Sequence, residues 1–134
     1  MTYPTLIDIS PTNLLNLDEK VAFQHFFGKS RAEAQALFGE GDFYVDDLAW
    51  MGWVAFEYYV LAYIDFLDES DVLDLDINDP MILVLQRYEI DSQYVNIHKL
   101  IDKISDLRGK SHDGSRDVVK NYDQVIEKIR AMGS

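Results

Sequence analysis

The chain has 134 residues, 48% hydrophobic and 13% aromatic, enough to bury a core as one domain spanning residues 1–134. It contains no cysteine, which excludes disulfides, thiolate nucleophiles and cysteine-ligated zinc or iron–sulfur centres. Twenty-four acids oppose twelve Lys and Arg, and the resulting net charge of −12 repels nucleic acid and anionic membranes.

The first residues, Met1 to Asp8, have neither the basic nor the apolar segment of a secretory signal, so a cytoplasmic location is expected. Thr5–Ser10 alternates briefly between Pro4 and Pro11 and is predicted to be a short extended piece. A helical pattern follows Asn16 through Leu17, Val21, Phe23, Phe26 and Phe27, with Gly28 as its C-terminal cap. Ser30-Arg-Ala-Glu33 has the spacing of a capping box, and the helix it opens runs to Gly39 and Gly41.

Asp46 and Asp47 suit the N-terminal end of a helix dipole and open a run, residues 48–67, that is apolar on nearly every side. Such a helix is predicted to lie buried at the centre of the fold, with Gly52 as its point of weakness. A membrane span is disfavoured, because Glu57 and Asp65 inside it would each cost about 3 kcal/mol near a bilayer centre. These two acids lie about 80° apart around the helix. They read as its partly solvated edge, or as partners of Arg or Tyr, rather than as a catalytic pair.

Asp68–Asp79 forms an acidic connection in which Leu73, Leu75 and Ile77 alternate. Asp74, Asp76 and Asn78 match the first ligand positions of an EF-hand. Asp79 stands where that loop needs Gly, however, and Leu85 where it needs Glu, so no dedicated calcium site is expected. Asp79-Pro80 is a helix start, and Ile82, Leu83, Leu85 and Tyr88, with Ile90 as a further candidate, line the helix it opens. Tyr94, Ile97, Leu100, Ile101, Ile104 and Leu107 define another, closed by Gly109. After a turn at residues 110–115, Val118, Val119, Tyr122, Val125, Ile126 and Ile129 define the last, expected to pack antiparallel to the one before. The predicted fold is all-α, a single-domain bundle of five or six helices around a hydrophobic central helix.

Catalytic signals are absent from this pattern. His25, His98 and His112 are isolated from one another, with no HExxH, GxSxG or P-loop sequence. No catalytic residue, metal or cofactor is expected, and the chain reads as a non-enzyme. His25, beside Phe26, reads as a core-edge residue rather than a ligand.

The charge is divided along the chain. Residues 1–79 hold sixteen acids against Lys20, Lys29 and Arg31, whereas residues 80–134 hold eight acids against nine bases. A one-sided acidic field steers a basic protein partner, while the simpler reading is solubility alone. The candidate partner-binding residues are Tyr44, Asp46, Asp47, Asp68, Glu69, Asp71, Asp74 and Asp76, with Tyr44 or another exposed tyrosine as the anchor. The alternative is a structural or scaffold subunit that forms a homodimer through residues 93–131. A hydrolase using Glu57 or Asp65 is a third reading.

Phe27-Gly-Lys-Ser-Arg-Ala-Glu-Ala-Gln-Ala-Leu-Phe38, Tyr44-Val-Asp-Asp-Leu-Ala-Trp-Met-Gly52 and Ala55-Phe-Glu-Tyr-Tyr59 form a pattern resembling small bacterial proteins. In general character the chain is similar to the immunity proteins of bacterial polymorphic and contact-dependent toxin systems. That resemblance implies a cytoplasmic antitoxin that neutralises a basic toxin domain, such as a nuclease, by covering its active site.

Overall fold

The computed structural model describes residues 4–41, 43–70, 76–110 and 115–132. These residues form eight α-helices with no strand among them, so the fold is all-α. They group into two compact units, residues 1–69 and residues 70–134.

The first unit begins with α1 (Leu6–Ile9), where a short extended piece is predicted. Thr5 and Asp8 form a reciprocal capping box, Thr5 N donating to Asp8 Oδ2 at 2.8 Å and Asp8 N to Thr5 Oγ1 at 3.3 Å. This local pairing satisfies two backbone donors and outweighs the weak alternation of the sequence. In α2 (Leu17–Phe26), Asn16 is the N-cap, its side chain accepting from Glu19 N at 3.1 Å. Gly28 follows the C-cap Phe27 with φ +77°, the left-handed conformation that glycine adopts without a Cβ penalty. The Tyr59 hydroxyl lies 2.7 Å from Phe26 O and 3.0 Å from Lys29 O, and so satisfies carbonyls at the end of α2.

In α3 (Arg31–Glu40) the Ser30–Glu33 capping box is formed as expected. The predicted central helix is two helices, α4 (Phe43–Trp50) and α5 (Trp53–Glu69), separated at Met51-Gly52. The break has a tertiary cause. Gly52 N donates to Ile9 O at 2.8 Å, and a methyl group at Gly52 would overlap the Asp8 carbonyl oxygen and lie 2.8 Å from Pro11 Cγ. Helix α5 is not buried all round, because Trp53 at its start is about half exposed, as is Trp50 at the end of α4, and Asp68 and Glu69 at its other end are exposed. Its inner side carries Ala55, Phe56, Tyr59, Val60, Ala62, Tyr63 and Leu67.

That side packs chiefly on α3, with further contacts to α1 and α4, while α2 packs on α4. Aromatic rings fill the space between them. Phe26 lies 5.0 Å from Tyr59 and 5.7 Å from Phe38, and Phe38 lies 5.0 Å from Tyr63, centroid to centroid and in tilted geometries. Arg31 holds Asp65 through two bonds of 2.5 and 2.8 Å, and Gln35 donates to Glu69 at 2.6 Å. The two contacts step one turn along both helices in the same direction, and Asp65 takes the Arg-paired role expected of it.

The second unit comprises α6 (Asn78–Asp91), α7 (Val95–Lys110) and α8 (Arg116–Met132). The helix opens earlier than Asp79, with Ile77 as an N-cap that makes no side-chain bond; Asp76 Oδ1 accepts from Asn78 N at 3.0 Å, and Pro80 falls inside the first turn. Both α7 and α8 pack on α6. Ser115 N donates to Asn78 Oδ1 at 2.8 Å, tying the start of α8 to the start of α6. The seam between α7 and α8 is spanned by long side chains, with the Tyr122 hydroxyl donating to Ile101 O at 3.1 Å and Arg108 reaching Asp123 at 2.8 Å. Of the apolar positions expected here, Ile97, Leu100, Ile101, Ile104 and Leu107 are buried on α7, whereas Tyr94 precedes the helix and is half-buried. No helix of the described residues is long and apolar enough to cross a membrane.

Candidate functional site

The predicted partner-binding residues fall in three places. Helix α4 carries Tyr44, Asp46 and Asp47; the last turn of α5 carries Asp68 and Glu69; Asp76 precedes α6. Asp71 and Asp74 lie outside the described residues.

Successive side chains of a helix point about 100° apart, and this separates the three residues of α4. Asp46 is exposed. Asp47 is only 5% exposed and turns inward, its Oδ2 lying 2.5 Å from His25 Nδ1. Burial pushes the Asp47 carboxyl above its ordinary pKa range, with His25 acting in the opposite sense. Asp47 therefore serves the interior of this unit, which corrects its place among the binding acids. Tyr44 is half buried, edge-on to His25 at 5.0 Å and to Phe26 at 6.3 Å between ring centroids. It props the α2–α4 contact and does not project as an anchor. His25 is the core-edge residue expected.

Asp68 and Glu69 are exposed at the C-terminal end of α5. A helix C-terminus carries partial negative charge, and acids there are disfavoured by about 0.3–1 kcal/mol each. No basic residue occupies that turn to compensate. Glu69 accepts from Gln35, and both carboxylates reach solvent. Asp76 is exposed as well, although one of its oxygens accepts from Asn78 N.

Apolar anchors stand elsewhere than the sequence suggests. Among the described residues, Leu15 is 89% exposed, Leu17 74%, Trp50 51% and Trp53 48%. Trp50 follows Asp46 by one turn of α4, so the ring and the carboxylate share a face. The leucines lie at the end of a loop held in a strained shape, with Asn13 at φ 56° and Leu14 at φ 70°. Asn tolerates that region; a leucine there is rare and costs about 1–3 kcal/mol unless neighbours impose it.

Here a polar network imposes it. Glu19 Oε1 accepts from Ser10 Oγ at 2.9 Å, Thr12 N at 3.1 Å and Thr12 Oγ1 at 2.8 Å. Ser10 Oγ in turn accepts from Leu14 N at 2.8 Å, and Thr12 Oγ1 accepts from Asn16 N at 3.0 Å. Nothing in the hydrophobic pattern marks this loop. Its sequence signal is the run of Ser, Pro, Thr and Asn at residues 10–13, a turn by composition.

The second unit holds a cleft of about 300 Å³ lined by Ser105, Arg108, Tyr122, Asp123, Ile126, Glu127 and Arg130. Its two arginines are matched by two acids, so it favours neither sign of ligand. Burial drives the Tyr122 phenol up to about 12, against the opposing hydrogen bond from Ser105. His98 Nε2 meets Ser92 O at 2.6 Å, a local contact at the α6–α7 turn. His112 lies outside the described residues. Among the described residues no group of three or more His, Asp or Glu side chains is arranged to hold a metal ion.

Comparison of the chain with protein-family models, with curated proteins and with solved structures finds no match.

Proposed function

We propose that this chain acts by binding, as an acidic protein that recognises a basic protein partner and performs no chemistry of its own. The observation that carries this reading is the set of exposed carboxylates on the first unit. Residues 1–69 contain twelve acids and three bases, whereas residues 70–134 contain twelve acids and nine bases. Of the three bases, Arg31 is held by Asp65. Asp18, Glu33, Glu40, Asp46, Asp68 and Glu69 all face solvent. The acids are shared equally between the units, but the bases are not, so the first unit carries a net −9 against −3 on the second, and it places Asp68 and Glu69 where the helix dipole opposes them.

The partner is proposed to be a toxin domain, inhibited when the chain covers its active site. This step rests on the resemblance to immunity proteins. The proposed binding acids are Asp46, Asp68 and Glu69 of the first unit, with Asp47 and Tyr44 on its inner side. Self-association through residues 93–131 finds less support. Among the described residues of the second unit, the exposed large apolar side chains are Ile82 and Ile90 on α6, outside that segment, and Val95 alone within it, at the first position of α7.

The test is retention of partners by the tagged chain at low salt, repeated at high salt and with Asp46→Lys, Asp68→Lys and Glu69→Lys combined. A single basic protein that is retained at low salt, released by salt and lost with the triple variant is the expected result. Recovery of the chain alone, as a salt-insensitive dimer, would replace this reading with the scaffold.

A further inference from the structure

The acidic field explains attraction and leaves open what holds a partner in place once it has arrived. Long-range charge mainly accelerates encounter, whereas lifetime depends on a few large side chains that lose their water. The first unit carries such side chains on segments that pack against one another. Gly52 N bonds Ile9 O, and the Gly52 Cα faces Asp8 O and the Pro11 ring. Trp50 and Trp53 lie within two residues of Gly52 on one side of this contact. Ile7, half exposed, lies within two residues of Ile9 on the other, and the loop leaving Pro11 leads to Leu15 and Leu17. Exposed large apolar residues therefore lie on the segments that flank the junction of α1 with the α4–α5 break, where α1 packs on α2 and α5 and α2 packs on α4.

We infer that Leu15, Leu17, Trp50 and Trp53 form a preformed apolar anchor for a basic partner segment that carries apolar side chains among its Lys and Arg. This rests on the reading of the chain as a binder of basic proteins and names where that partner is gripped. Two observations fix the occupant. The loop is held rigid by the Glu19 network in a backbone conformation that leucine does not choose for itself, so Leu15 and Leu17 are displayed at little further ordering cost on binding. The rim is acidic, with Asp18 next to Leu17 and Asp46 one turn before Trp50, against Lys20 as the nearby base. A second copy of the chain would bring like charges together across this patch, whereas a basic segment complements it.

The molecule carries its own reporter, because Trp50 and Trp53 are its two tryptophans. The full chain is titrated with three synthetic peptides: an amphipathic helical peptide of Leu and Lys, a Lys peptide without leucine, and an amphipathic peptide of Leu and Glu. Binding is followed by calorimetry, and occupancy of the patch by tryptophan emission and acrylamide quenching. Only the Leu/Lys peptide is expected to move the emission to shorter wavelength and to protect it from quencher. Leu15→Ala with Leu17→Ala should weaken its binding about tenfold, with circular dichroism and thermal midpoint unchanged. Glu19→Ala, which keeps both leucines but frees the loop, should also weaken it.

An equal emission shift with the Lys peptide or the Leu/Glu peptide overturns the inference, as does unchanged affinity in the double leucine variant. Calorimetric binding of the cationic peptides without any tryptophan response keeps the acidic reading and removes the anchor. No binding of either cationic peptide removes both. A concentration-dependent shift in the chain alone, accompanied by dimerisation on sedimentation, assigns the patch to a second copy and overturns the proposal.

Discussion

Arg87 and Asp91 stand one turn apart on α6 with both side chains buried, Nε to Oδ2 at 2.6 Å. Burial holds the Asp91 carboxyl above its ordinary pKa, against the opposing charge and hydrogen bond of Arg87. Removing one member of such a pair is far worse than removing both, because the survivor is left as a buried charge. Arg87→Met should destabilise the protein by about 4 kcal/mol, and Arg87→Met with Asp91→Leu should recover most of that loss. Urea unfolding of the three proteins at neutral pH measures both quantities.

Tyr122 provides a second test at the residue scale. Its phenol is pushed up to about 12 in the folded chain, against an ordinary value of 10.0. The folded state thus keeps its proton where the unfolded state loses it. The stabilisation is complete below pH 10 and is lost as pH rises toward 12, a total of about 2.7 kcal/mol. Unfolding midpoints of Tyr122→Phe and the parent should therefore converge with rising pH across this window. A constant difference would show that the buried phenol does not titrate as stated.

At the scale of elements, Gly52 has the sharpest requirement. Since a methyl group there overlaps the Asp8 carbonyl oxygen, Gly52→Ala must displace α1 or open the α4–α5 break. The expected loss is about 2 kcal/mol, read as a lower thermal midpoint. Ser30→Ala removes half of a capping box on exposed backbone and should cost about 1 kcal/mol, with no effect on Trp50 and Trp53 emission.

These positions also mark where the sequence was readable. The capping box at Ser30, the glycine stop at Gly28 and the apolar stripe of α7 are local, since each depends on residues within a few positions of one another. The break at Gly52 was visible as a weakness, but its cause is a contact with residues more than forty positions earlier. The exposure of Trp50 and Trp53 follows from that break. An uninterrupted helix over residues 48–67 would have placed them on a continuous apolar surface, which is why they read as core. The Leu15–Leu17 display was illegible because hydrophobic periodicity carries no sign of a positive φ at Leu14 or of a carboxylate nine residues from Ser10. The same limit hid the inward turn of Asp47, since two adjacent aspartates look alike until a helix rotates one of them toward His25.

At the scale of the whole molecule, the net charge of −12 acts as a field as well as a set of contacts. If only the total matters, reversing any three exposed acids slows association with a basic partner equally. If the surface of the first unit is where the partner arrives, position matters at equal charge. Asp46→Lys, Asp68→Lys and Glu69→Lys together are predicted to lower the association rate constant about tenfold at low ionic strength. Reversal of Glu89, Asp102 and Glu127, all exposed on the second unit, changes the net charge by the same amount and should have a much smaller effect. Near 1 M salt, where screening acts over about 3 Å, the two triple variants and the parent should associate at similar rates. Dissociation should differ little among them, because Leu15, Leu17, Trp50 and Trp53 are unchanged in all three and a rim charge such as Asp46 acts mainly on encounter. Stopped-flow measurement against the partner recovered at low salt separates these cases. Equal slowing by both triple variants would assign the acidity to the global field and remove the binding role from Asp46, Asp68 and Glu69.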